Sequence, residues 1–273
     1  MELDYIQKKV QNAKKECLEL CINIGSGHVT SAFSCAEIVC VLYYAVMNVD
    51  PRHPDAPGRD RFVMSKNHGM VMVYPVLKDI GFFSQETMET FGKNGGAVSP
   101  HSKLSVKGID FAGGSLGIGL GTACGMAYAA ACDKEKWLTF CIIGDGELYE
   151  GSMWEAMMFA GYQKLSNLVV ILDRNKLCMT GFTESMIGLE PLDEKIRNFG
   201  WEVRVVDGHS IEELYGALSD VRERSVKKPL CILANTVKGK GIDFMEGNPF
   251  MHGVAPAGEK ANIARKQVGS YGK

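Results

Sequence analysis

The run Ile143-Gly144-Asp145-Gly146-Glu147 ends an apolar segment on a carboxylate set between two glycines. The glycines let the backbone turn sharply and approach an anion, while the Asp145 carboxylate faces a cation. A second apolar run, Leu168 to Leu172, stops at Asp173-Arg174-Asn175-Lys176-Leu177. The Asn175 amide is another hard oxygen ligand. With a backbone carbonyl, placed at Leu177, and a substrate diphosphate, the set suits octahedral Mg²⁺ or the more flexible Ca²⁺. Alone, the Gly-Asp-Gly unit reads as a strand-ending turn and Asn175 as a helix cap. Together they favour a cation site.

Four of the six histidines, His28, His68, His101 and His252, stand in or beside loops rich in Gly or Ser. Imidazole titrates near neutral pH, so such a set suits proton transfer and hydrogen-bond donation. His53 flanks prolines in a turn and His209 precedes a helix cap, and both read as structural. The nine cysteines form no Cys-x-x-Cys unit and read as reduced, buried thiols. Cys17 and Cys21 are one helical turn apart, but no second Cys or His pair follows at zinc-site spacing.

The elements that must position these groups show an α/β pattern. The first 48 residues read as two helices around the loop Gly25-Ser26-Gly27-His28, the second starting near Cys35 with Ile38, Val39, Leu42 and Val46 at helical spacing. A short strand, Arg61 to Met64, runs into a helix that begins at Ser65 to Gly69, and Gly92 to Gly114 reads as a long loop. From Trp137 the chain alternates: strand to Ile143, helix Gly151 to Lys164, strand Leu168 to Asp173, strand Trp201 to Val206. The capping box Ser210-x-x-Glu213 opens a helix to Val226, and the strand Leu230 to Asn235 closes the series. Such alternation implies a parallel sheet with helices on both faces, its ligand site beyond the carboxyl ends of the strands. The whole chain reads as a single domain, with helices and loops over 1–135 and a βαβ core over 136–273.

Hydrophobic residues make up 46% of the chain, and the formal charge of -2 leaves no basic footprint for nucleic acid. The first twenty residues mix both charge signs and lack a signal peptide's apolar core, and the apolar run Ile38 to Met47 is too short to span a bilayer. A cytoplasmic protein without a membrane partner is expected.

Gly-Asp-Gly followed about thirty residues later by Asn resembles the signature of thiamine diphosphate enzymes, and the surrounding sequence is similar to the transketolase family. Gly25-Ser26-Gly27-His28 and Arg59 to Gly69 resemble the family's first two histidine segments. Gly114-Ser115-Leu116-Gly117-Ile118-Gly119 resembles its glycine segment, and Thr236 to Gly241 with His252-Gly253 its closing segment. The resemblance implies a thiamine diphosphate-binding fold and transfer of a two-carbon ketol unit from a ketose, by default a sugar phosphate, to an aldose. It implies that His28, His68 and His101 contact the sugar's hydroxyls or the reacting carbon, and that His252 faces the cofactor near its diphosphate. Gly144, Asp145, Gly146, Glu147 and Asn175 would bind the cofactor and its cation, with Gly114, Ser115 and Leu116 beside the aminopyrimidine or thiazolium. Glu150 matches a glutamate at the contact between two cofactor sites, bonded to the partner's catalytic carboxylate. As a dinucleotide fingerprint the Gly117 to Gly121 run fails, because its spacing is wrong and no strand precedes it.

Three places depart from the family pattern. Val29-Thr30-Ser31 stands where Pro-Gly or Gly-Gly is frequent, Ser99-Pro100-His101-Ser102 replaces Gly-His-Pro, and Asn67 stands where Gly is common. A complete enzyme of this kind also needs a pyrimidine-binding domain, which supplies a glutamate to the cofactor ring, and a C-terminal domain. Neither is expected in this chain, so a split enzyme is, with a second subunit carrying both and two copies of each subunit. The rival readings are the α subunit of a 2-oxo acid dehydrogenase, which should lack the His28, His68 and His101 set, and a non-catalytic cofactor-binding subunit.

Overall fold

Strand β1 (Arg61–Met64) pairs in parallel with β2 (Thr139–Gly144), β2 with β3 (Leu168–Arg174), β3 with β5 (Leu230–Asn235), and β5 with β4 (Glu202–Asp207). This computed structural model describes residues 3–179 and 181–272. Because all five strands are parallel, each crossover must pass over a sheet face, and among the described residues ten α-helices fill those crossovers and the flanks. They are α1 (Leu3–Ile24), α2 (Val29–Ser34), α3 (Ala36–Val41), α4 (Val73–Ile80), α5 (Gln85–Met88), α6 (Gly119–Cys132), α7 (Gly151–Tyr162), α8 (Leu192–Asn198), α9 (Ile211–Leu218) and α10 (Gly258–Ser270).

Side chains alternate across the sheet with the two-residue period of a strand. Phe140, Ile142, Val169, Ile171 and Ile232 point into one core, against α1 to α4, α9 and α10. Cys141, Ile143, Val170, Leu172 and Leu233 point into the other, against α6, α7 and α8. Both faces of β2, β3 and β5 are covered, which is why these strands read as continuous apolar runs, whereas the edge strand β4 is part-exposed.

The expected strands are all present within one to two residues, and Gly92 to Gly114 carries neither helix nor strand. Several helices differ from expectation. The second helical stretch starts at Val29 rather than near Cys35, breaks where Cys35 takes φ -108° and ψ 15°, and ends in a π-helical turn over Leu42–Val46. The helix after β1 begins as a 3-10 turn, Asn67–Met72, before α4. α9 stops at Leu218, eight residues short of Val226. The Ser210 hydroxyl caps α9 by accepting from the Glu213 amide, but the Glu213 carboxylate accepts from the Asp207 amide, so the cap is one-sided.

Candidate functional site

Parallel pairing puts Gly144 beside Asp173, so Asp145 and Asn175 leave the carboxyl ends of two adjacent strands. The two loops touch. One oxygen of Asp145 accepts from the Gly146 amide at 2.8 Å and the other from the Lys176 amide. A Cβ on Gly146 would lie 3.0 Å from Cys178 Cβ, so the small residue lets the loops close on each other. Asn175 Oδ1 accepts from the Leu177 amide at 3.1 Å, and Leu177 lines the same space. Burial, then the charge of Asp173, pushes Asp145 up to about 7 despite the two amides. The positive charge of Lys66 works the other way but does not offset the burial.

A cavity of about 270 Å³ lies above these strand ends. Asp145, Asn175 and Leu177 line its floor, together with Gly144, Gly146 and Glu147. His28, His68, His101 and His252 line the opposite wall, with Gly114 and Leu116 beside them. Segments separated by more than two hundred residues therefore converge. The rings of His28, His68 and His252 form a triangle with centroids 5.0 to 5.5 Å apart. Burial lowers all three, aided by the nearby lysines, His68 well below the ordinary value and His252 to about 4. At neutral pH they are uncharged imidazoles, each able to donate one N–H. Nδ1 of His252 and the buried Ser31 hydroxyl have no hydrogen-bond partner among the described residues.

Two of the expected residues lie outside this lining. Ser115 is exposed, and Glu150 is exposed at the N-cap of α7. Glu147, although part of the lining, is engaged by the protein itself: its carboxylate accepts from the Ser65 hydroxyl at 2.5 Å, the Gly117 amide at 2.9 Å and the Gly144 amide at 3.4 Å. It ties the glycine segment to two strand ends. Gly117 has φ +85°, and a Cβ there would meet Glu150 Cβ at 2.7 Å, so only glycine fits. Two of the substituted positions pair with each other. Asn67 Nδ2 donates to Ser102 Oγ at 2.7 Å and Asn67 Oδ1 accepts from the Ser102 amide at 3.0 Å, fixing the residue beside His101.

Three lining residues carry chemistry that the sequence did not single out. Lys66 is buried and donates to Asp173, to the Ser31 carbonyl at 2.8 Å and to the Ser34 hydroxyl at 3.2 Å. Burial disfavours its charge, but Asp173 overrides this and Lys66 ends raised. Lys238 reaches toward the Leu177 and Cys178 carbonyls at 3.4 and 3.5 Å. Burial, then repulsion from Lys66, lowers Lys238 to about 8. Ser31 is the third. Both lysines lie inside the second histidine segment and the closing segment, but spacing does not reveal which lysine turns inward.

The donor set suits a metal diphosphate. Among the described residues no group of three or more His, Cys, Asp or Glu side chains could hold a metal alone. A cation here would draw on Asp145, the Asn175 amide, a backbone carbonyl and the ligand's own oxygens, which is hard-cation chemistry. Lys66 and Lys238 supply positive charge for an anion.

The model of the transketolase thiamine diphosphate-binding domain matches residues 7–272. This chain belongs to the transketolase family. The 6-deoxy-6-sulfo-D-fructose transketolase subunit of a Clostridium species is 40% identical over 248 residues, 90% of each chain. An apulose-4-phosphate transketolase subunit of Phocaeicola vulgatus is 36% identical over 268 residues, covering 98% of this chain and 95% of that one. Human transketolase is 40% identical over 230 residues, which is 84% of this chain but 36% of the human protein. The fold agrees: transketolase from Leishmania mexicana superposes with a TM-score of 0.90 at 27% identity, covering 97% of this chain and 41% of that one. The chain is therefore a thiamine diphosphate-binding transketolase domain, matched nearly end to end by proteins named as subunits.

Proposed function

We propose that this chain is the diphosphate-binding subunit of a split transketolase, a transferase moving a two-carbon ketol unit from a ketose to an aldose. One observation carries this reading: a single cavity joins the hard-oxygen donors Asp145, Asn175 and Leu177 to four histidines, His28, His68, His101 and His252. In it, Asp145, Asn175 and the Leu177 carbonyl hold Mg²⁺ or Ca²⁺, and Lys66, Lys238, Gly146 and His252 face the diphosphate. When bound, thiamine diphosphate supplies the carbon nucleophile and electron sink for breaking and making the C–C bond. His28, His68 and His101 donate N–H bonds to sugar oxygens and stabilise negative charge as it develops there. Glu147 positions the glycine segment of Gly114, Ser115 and Leu116.

A partner subunit with the pyrimidine-binding and C-terminal domains completes the site, in an α2β2 assembly in the cytoplasm. Two features support a partner. α6 and α7 leave Tyr128, Met158, Phe159 and Tyr162 exposed, with Ile118 exposed at the N-cap of α6, a set of large apolar side chains suited to a covering partner. Glu150 stands exposed at the start of α7 and would meet a carboxylate from the partner. Relatives named for a sulfo-sugar and for a sugar phosphate point to a ketose with an anionic tail. No helix among the described residues is long and apolar enough to cross a membrane.

The test is reconstitution. The chain mixed with the pyrimidine-domain subunit, thiamine diphosphate and Mg²⁺ should transfer a ketol unit from a phosphorylated ketose. Transfer at the same rate by the chain alone would overturn the split reading.

A further inference from the structure

Outside the cavity, a buried polar cluster surrounds Glu37. The Glu37 carboxylate is almost fully buried and accepts from Lys14 Nζ at 2.9 Å and from the Tyr271 hydroxyl at 2.7 Å. Its other oxygen lies 2.9 Å from Nδ1 of His209. Nε2 of His209 accepts from the Val237 amide at 2.9 Å, so the neutral ring carries its proton on Nδ1 and donates it to Glu37. Burying an ion pair is costly, and a cluster joining α1, α3, the loop after β4 and the chain's last turn invites a reason beyond packing.

The reason lies in what the cluster holds. Val237 and Lys240 flank Lys238. His209 fixes the Val237 amide, and Lys14 donates to the Lys240 carbonyl at 3.2 Å. Between them the Gly239 amide donates to the Thr30 carbonyl at 2.9 Å, tying the segment to the helix after His28. The clamp matters because Lys238 and Lys66 are both buried and line the same cavity. Two like charges in a poorly solvated space repel, and a long flexible side chain on an unrestrained loop would relieve that by swinging out to water.

We propose that His209, held by Glu37, is a positioning residue for Lys238: it fixes the Val237 to Lys240 segment so that the Lys238 ammonium stays in the cavity facing the cofactor's diphosphate. This inference rests on the reading of the cavity as a diphosphate site. His209 touches neither substrate nor cofactor and acts only through Lys238.

A double-mutant cycle on the intact chain tests it, read by calorimetric titration with magnesium thiamine diphosphate and, as a second probe, magnesium pyrophosphate. Lys238→Met should weaken both ligands about 10-fold, and His209→Leu should do nearly the same. Combined with Lys238→Met, the His209→Leu change should add less than about 2-fold. His209→Gln, whose amide can accept from Val237 and donate to Glu37, should restore affinity to within about 2-fold of the parent. Tyr271→Phe removes a bond to Glu37 without touching His209 or Val237 and should leave affinity unchanged, so loss from general destabilisation is told apart by thermal midpoints of the same variants. Full affinity in His209→Leu, or additive losses in the double variant, would overturn the proposal while leaving the diphosphate reading intact. Full affinity in Lys238→Met would instead remove the diphosphate reading at Lys238, and the proposal with it.

Discussion

The two walls of the cavity are built in opposite ways. The floor comes from strand ends: Asp145 and Asn175 follow directly from paired strands, and backbone amides hold their side chains, that of Lys176 in the neighbouring loop for Asp145 and that of Leu177 in its own loop for Asn175. The facing wall comes from loops and helix starts far apart in sequence, and its three clustered imidazoles touch chiefly one another. Beneath that wall, Lys66 is the exception, bound into a buried ion pair. On the proposed reading, fixed geometry is invested where a cation and a diphosphate would be held, while the histidine side chains of the facing wall make no hydrogen bond to the protein among the described residues. Substitutions in the two walls should therefore fail in different ways.

The largest effect is expected where the walls meet. Lys66→Met leaves Asp173 as an uncompensated buried carboxylate, with only the Ser34 and Thr236 hydroxyls among the described residues still donating to it. Removing one partner of a buried pair costs about 3–5 kcal/mol, and urea denaturation of the chain should show that loss. A loss below about 1 kcal/mol would mean that the pair does not hold the walls together.

Next comes the support of the loop wall, through pH. Burial opposes the Glu37 charge, but Lys14 and the bond from His209 override it and hold Glu37 at about 2, against an ordinary carboxylate value of 4.5. A depressed carboxylate contributes stability that is complete above about pH 4.5 and lost as pH falls toward 2. The shift corresponds to about 3 kcal/mol. Parent and Glu37→Gln chains should thus differ most in denaturation midpoint at pH 6 and converge toward pH 3. A constant difference across that window would show that Glu37 carries no linked proton.

Asp145→Ala tests the floor. With Mg²⁺ fixed, affinity for thiamine diphosphate should fall roughly 100-fold, because neither the Asn175 amide nor the Leu177 carbonyl replaces a charged ligand. Folding stability should not fall with it, since removing a carboxylate that burial raises to about 7 relieves desolvation. Unchanged affinity would reassign the cation ligand.

The same contrast decides what could be read from sequence. Apolar runs ending at Asp145 and Asn175 announce strand ends by periodicity and composition alone, and Gly144 and Gly146 announce a close approach. The five strands were legible for that reason. Lys66 was not, because its inward turn depends on Asp173, which is distant in sequence. Nor was the break at Cys35, a helix interruption without Gly or Pro to mark it, or the use of the Glu213 carboxylate on Asp207 instead of the cap. His209 read as a turn residue next to a cap. Its partners, Glu37 and Val237, come from other elements, and no local pattern encodes them.

The smallest effect on folding is expected at the histidines, and it sharpens the contrast most. His28 starts α2 but makes no side-chain cap bond there, and its ring lies against those of His68 and His252. Replacing it with Asn removes no buried hydrogen bond that the protein makes for itself. Stability should stay within about 0.5 kcal/mol of the parent by denaturation, the range of a substitution away from structural features. Affinity for thiamine diphosphate should change less than about 3-fold, because the floor and the lysines are intact. Ketol transfer by the reconstituted pair should nonetheless fall about 100-fold, the scale of a lost donor or proton carrier at the reacting centre. If His28→Asn instead unfolded the chain or released the cofactor while sparing turnover, the imidazole wall would be structural, and the division of labour between the two walls would be wrong.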